Sequence, residues 1–180
     1  LLRAMIQQNP ADTEFSSGAQ DFLKGALQHQ KQECGGVWTE PVTGMKFVIV
    51  TGGSFRIGDQ FDEGDDNEQL NRQITVESFL IGATEVTQAQ WKKIMDYNKS
   101  RFKGDNYPVE QVSFPMIREF IGKLNNLHKN KYKFRLPTEA EWEYACRERG
   151  EKVRFCNGKN QANTLEINYN TRVGKTTPVA

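Results

Sequence analysis

The chain has 180 residues, with 24 Lys and Arg against 23 Asp and Glu, and 37% of its residues are apolar. That length suffices for one domain with a real core. The near-zero net charge argues against a dedicated nucleic-acid or membrane-surface binder, and no run reaches the roughly 18 apolar residues a membrane helix needs. The chain opens "LLRAMIQ" without an initiator Met, so it reads as cut from something longer, and a missing signal peptide carries no weight. Cys34, Cys146 and Cys156 are odd in number, widely spaced and form no C-x-x-C, so neither a zinc site nor a disulfide is the leading expectation.

Residues 1–36 read as a helical leader. Ser17-Gly18-Ala19-Gln20 fits a capping box, and Phe22, Leu23, Ala26 and Leu27 follow at helical spacing. Gly35-Gly36 ends this unit. Two β-rich runs, Phe47–Val50 and Ser54–Ile57, flank Gly52-Gly53 and predict a hairpin. The acidic stretch Gly58–Gln69 invites a calcium reading. Aligning Gly64 to the sixth position of an EF-hand loop puts Phe61 at the third and Leu70 at the twelfth, where oxygen ligands are required. The template fails, and a solvated turn is expected.

A second strand pair is expected at Ile74–Val76 and Phe79–Ile81. Thr87-Gln88-Ala89-Gln90 is another capping box, with Trp91, Ile94 and Met95 on one face behind it. Ser113 caps a third helix that accepts Pro115 in its first turn, with Met116, Ile117, Phe120, Ile121, Leu124 and Leu127 as its apolar face. His128, at its end, reads as a surface histidine. Tyr132, Phe134 and Leu136 alternate with charged residues and predict a half-buried strand.

"RLPTEAEWEYACR", Arg135 to Arg147, is the most orderly stretch of the chain. Thr138-Glu139-Ala140-Glu141 is a third capping box, and the helix dipole favours Glu139 and Glu141 in the first turn. Glu143 and Arg147 are four apart and can pair. Trp142, Ala145 and Cys146 share a face expected to be buried, and Gly150 is a stop. Each acid has a local structural task, which outweighs a reading of paired catalytic carboxylates.

This stretch also closely resembles the signature of the formylglycine-generating enzyme family, or sulfatase-modifying factors. "GMKFVIVTGGSFRIG", "VESFLIGATEVTQAQW", "YPVEQVSF", "QANT" and "TTPV" resemble further elements of that family, in the right order from about Val37 to Val179. The resemblance implies an α+β, C-type-lectin-like fold. It also implies a relation to enzymes that use copper and oxygen to oxidise a sulfatase cysteine to formylglycine. Related domains serve ergothioneine biosynthesis, pyoverdine maturation and ligand display, so fold does not fix chemistry.

The departures from the family carry as much information. The half of the domain that bears its two copper-binding cysteines is not in this sequence. Cys146 lies on the signature helix, and Cys156 stands where a "PWG" Trp is usual. Phe114-Pro115 replaces a Trp followed by an acid or amide. The resemblance also implies half of a calcium site at Asn163 and the Thr164 carbonyl. The later Asp of that site is replaced by Asn170 or Thr171, which lowers the charge calcium needs.

The resulting expectation is a leader over 1–36 and, over 37–180, the N-terminal part of a formylglycine-generating-enzyme-like domain, incomplete at its C-terminal end. It should be inactive in cysteine oxidation alone, since copper needs soft thiolate ligands. No catalytic or cofactor-binding residue is assigned, and Asn163 and Thr164 are the metal candidates. The expected partner is the missing C-terminal half or another chain completing the fold, with a sulfatase-like protein substrate for the parent. The competing class is a non-enzymatic binding or scaffold module. Ergothioneine-type chemistry needs a histidine-bearing iron domain that nothing here supplies.

Overall fold

The computed structural model describes residues 5–6, 36–61, 72–129, 132–161 and 174–179. The chain divides into two compact units, one from Leu1–Ile49, Phe79–Leu136 and Gly174–Ala180, the other from Val50–Ser78 and Pro137–Val173. The predicted leader helix, Cys34 and most of the acidic stretch lie outside the described residues.

The first unit holds a five-stranded sheet. Its strands are β1 (Met5–Ile6), β2 (Val37–Thr39), β3 (Lys46–Val50), β6 (Phe79–Gly82) and β7 (Phe134–Arg135), in the order β2-β3-β6-β1-β7. β2 pairs antiparallel with β3, Trp38 opposite Phe47, and β1 pairs antiparallel with both β6 and β7. β6 is buried at all four positions, as the unbroken apolar run Phe79–Ile81 dictates for a central strand.

Helix α1 (Gln88–Lys92) starts at the capping box expected at Thr87, whose hydroxyl accepts from Gln90 N while the Gln90 side chain accepts from Thr87 N. Trp91, Ile94 and Met95 are buried as their spacing predicts. The Trp91 indole stacks on Phe120 of α2 (Phe114–Leu127), centroids 4.9 Å apart, and donates to the Tyr97 carbonyl at 2.8 Å. That bond satisfies the one polar atom of a fully buried ring. Of the predicted α2 face, Phe120 and Leu124 are fully buried, whereas Leu127 is 52% exposed. Leu127 is the last helical residue, beyond the reach of the sheet-facing stripe.

The second unit is built on β4 (Gly53–Ile57) paired antiparallel with β5 (Arg72–Val76), and on helix α3 (Glu139–Cys146). The predicted hairpin and the predicted second strand pair are therefore not formed. β3 and β4 enter different sheets, as do β5 and β6. Gly52-Gly53 is a close-approach crossing, not a hairpin turn. A Cβ on Gly52 would lie 2.4 Å from the Val76 carbonyl oxygen, and Gly52 N donates to Ser78 Oγ. Gly53 makes room for Tyr144, whose hydroxyl would stand 2.6 Å from a Cβ there.

α3 is anchored by Tyr144 and not by Trp142. Tyr144 is 2% exposed, packs on Phe55 at 5.1 Å and donates its hydroxyl to the Thr51 carbonyl at 3.1 Å. Trp142 is 50% exposed, against the expectation of burial. Trp142 and Tyr144 are roughly 200° apart around a helix, so burying one on β4 turns the other away. Beyond α3 the chain reverses through Glu148, Arg149 and Gly150, at φ 48°, 72° and 87°. Cys146 and Cys156 are joined by a disulfide, which the cysteine spacing alone did not favour.

Candidate functional site

The three acids of the signature helix do not converge on a cleft. Thr138 Oγ1 accepts from Glu141 N, while one Glu141 carboxylate oxygen accepts from Thr138 N and from its hydroxyl, both at 2.8 Å. Glu143 Oε1 accepts from Arg147 Nη1 at 2.7 Å and from Gly58 N at 3.0 Å. Two of the three carboxylates are thus committed to the helix start and to the α3–β4 contact. Glu139 is exposed in the first turn, where the helix dipole favours it.

Arg147 is the polar centre of this unit. Its side chain is 7% exposed, and its Nε and Nη1 donate to the carbonyls of Glu151 and Arg56, both at 3.1 Å. Nη2 is buried and makes no hydrogen bond among the described residues. A fixed guanidinium that ties together one carboxylate and two carbonyls is built for rigidity.

The first unit contains a buried carboxylate–imidazole pair that sequence reasoning missed. His128 is not a surface residue. Its side chain is 7% exposed, and Nε2 lies 2.8 Å from Oε1 of fully buried Glu40. The same Oε1 accepts from Val42 N at 2.7 Å, and Oε2 accepts from Thr43 N at 2.6 Å and from the Thr43 hydroxyl. Lys93 Nζ donates to the Thr43 carbonyl, and the His128 ring sits edge-on to Tyr132 at 5.0 Å.

Burial opposes ionisation of Glu40, but the hydrogen bonds from Thr43, Val42 and His128 outweigh it and hold the carboxyl below the usual range. A carboxylate only accepts, so the His128 proton in this bond resides on Nε2. All four acceptor positions of Glu40 are occupied, which makes it the hub of the 40–45 turn and leaves it no lone pair for a reacting proton. The local part of this hub was readable in "TEPVTG", where an acid precedes two amides it can accept from. Its partner stands 88 residues away, and no local pattern names it.

Among the described residues no group of three or more His, Cys, Asp or Glu side chains is placed to hold a metal ion. Asn163 and Thr164 lie outside the described residues. The described residues offer no pair of free thiolates to hold a copper ion. Cys146 and Cys156 are bonded to each other, which leaves Cys34 as the third cysteine of the sequence.

Residues 36–180 match the family model described as the sulfatase-modifying factor enzyme 1-like domain. A protein of Paenibacillus barcinonensis named chaperone protein LppX is 31% identical over 130 residues, covering 55% of this chain and 44% of that protein. The chain thus spans less than half the length of this curated relative. The solved structure of PvdO from Pseudomonas aeruginosa is similar with a TM-score of 0.57 at 22% identity, covering 65% of this chain and 52% of that one. Treponema denticola variable protein 1 is similar with a TM-score of 0.51 at 24% identity, covering 75% and 63%. At these identities the two structures show a related fold and nothing of activity.

Proposed function

The chain belongs to the sulfatase-modifying factor enzyme 1-like family, and from that premise we propose that these 180 residues are a non-catalytic, polypeptide-binding part of such a protein. The observation that carries the proposal is Trp142, half exposed on the signature helix. A large aromatic left in water at the centre of a well-formed helix is a contact residue in search of a surface, since Trp supplies much of the binding energy where proteins meet. Phe114, 60% exposed at the start of α2, offers a second such contact in the other unit. The relative named a chaperone supports a role in handling other polypeptides.

Oxidation of a sulfatase cysteine is not assigned to these residues, because Cys146 and Cys156 are bonded to each other and neither stands where the resemblance puts the copper-binding cysteines. The finer fold assignment in this proposal is C-type-lectin-like, with the exposed apolar side chains covered by a further polypeptide. That cover is either more of the same protein or a second chain.

Two measurements test the reading. Light scattering and binding to an unfolded, alkylated polypeptide should show association by the purified chain, weakened at least tenfold by Trp142→Ser in protein whose circular dichroism is unchanged. A cooperatively folding monomer that binds nothing would remove the binding role. Copper-dependent turnover of a sulfatase-type cysteine peptide by this chain would remove the non-catalytic one.

A further inference from the structure

The end of α3 is strained and held by a covalent bond. Glu148 and Arg149 are consecutive non-glycine residues in the left-handed region, followed by Gly150 at φ 87°. L-residues with a side chain avoid this conformation because Cβ crowds the following carbonyl. The turn brings Gly150 against Phe55, where a Cβ would lie 2.3 Å from the Phe55 Cβ. It also returns Arg149 N and Gly150 N to the Tyr144 carbonyl and Glu151 N to the Arg147 carbonyl. On its far side the chain is pinned by the Cys146–Cys156 disulfide, ten residues in span, and by the short Phe155–Lys159 bridge. Cys156 is exposed and Cys146 half-buried.

We infer that this disulfide is a redox-sensitive latch on the signature helix: oxidised, it holds the left-handed turn at 148–150 closed, and reduced, it lets that turn open. The reductant is a dithiol. One of its thiolates attacks the sulfur of Cys156, the more exposed residue of the two, breaking the Cys146–Cys156 bond and expelling the Cys146 thiolate, which takes up a proton. The second thiolate of the reductant then attacks its own sulfur in the mixed disulfide and releases the Cys156 thiolate, which is protonated in turn. Two electrons pass to the protein, and the dithiol leaves as a disulfide.

Opening has a defined consequence. Arg147 draws one of its bonds from the Glu151 carbonyl, inside the latched loop, and its Nη2 already has no partner among the described residues. When the loop lifts, the guanidinium is uncovered and gains water, which favours the open state. The oxidised turn thus stores its strain against a bond to the exposed residue Cys156.

The test is amide hydrogen exchange on the full chain, oxidised and dithiothreitol-reduced, with Cys34 alkylated beforehand and the redox state read by mass. Reduction should speed exchange at Arg149, Gly150 and Glu151 by at least tenfold, while the amides of α2 keep their rates. In the double variant Glu148→Gly/Arg149→Gly the left-handed penalty is gone, and the same reduction should change these rates by less than threefold. Unchanged protection on complete reduction would overturn the latch. So would loss of protection throughout both units, which would make the disulfide a general staple. A double-glycine variant that opens as readily as the natural chain would also overturn it, since the turn would then store nothing.

Discussion

Replacing Glu40 tests whether its buried carboxylate organises the first unit. The side chain is fully buried and accepts from Val42 N, Thr43 N, the Thr43 hydroxyl and His128 Nε2. Glu40→Ala removes the acceptor of two backbone donors and an imidazole N–H. Each of the three stranded donors costs about 1–3 kcal/mol. We therefore expect Glu40→Ala to lose about 3–5 kcal/mol, and Glu40→Gln, whose amide oxygen still accepts from the backbone, about half that. Urea unfolding followed by tryptophan fluorescence reads this as a lowered midpoint at constant slope.

The pH dependence has a fixed sign. The folded carboxyl titrates below its ordinary value of 4.5, so its contribution is complete above that pH and is lost as pH falls through the lower folded value. The natural chain should lose stability more steeply below about pH 4.5 than Glu40→Gln does. A loss under 1 kcal/mol in Glu40→Ala, or parallel acid profiles for the two proteins, would refute the hub.

Three further outcomes follow from the second unit. Thr138→Ala removes the side-chain cap of α3 and should cost about 1 kcal/mol by the same unfolding assay. Trp142→Ala should cost under about 1 kcal/mol in the isolated chain because the ring is half exposed, whereas Tyr144→Ala should cost about 3–5 kcal/mol; the reverse ranking would show that the helix is rotated from the orientation described. Gly150→Ala combines a left-handed φ with an overlap on Phe55 and should cost at least about 2 kcal/mol, read as a lowered thermal midpoint.

What was legible in the sequence was what is local. The capping boxes at Thr87 and Thr138 need only a hydroxyl and an acid or amide three residues apart, and both form as written. The Glu143–Arg147 pair obeys the same helical arithmetic. Periodicity failed on α3 because an eight-residue helix with aromatics on opposite sides offers two candidate faces. The choice was made by the 51–53 segment that leads into β4, which leaves room at Gly53 and offers the Thr51 carbonyl as an acceptor to a phenol. Only Tyr144 can use both. The hairpin reading of Gly52-Gly53 failed for a related reason. A glycine pair states that backbone is crowded there and not what crowds it, and here it is the 76–78 segment.

His128 shows where the candidate site lay beyond sequence reasoning. A histidine at a helix end is ordinarily solvated, and what makes this one structural is a carboxylate 88 residues earlier, saturated by its own turn. The same saturation argues against catalysis at this pair. A general base needs a lone pair free for the incoming proton, and Glu40 has spent its own on Val42, Thr43 and His128. The signature helix follows the same logic, with Glu141 spent on its cap and Glu143 on Arg147 and Gly58. With Glu141 and Glu143 so occupied, Trp142 remains half exposed on α3, beside the exposed first-turn Glu139.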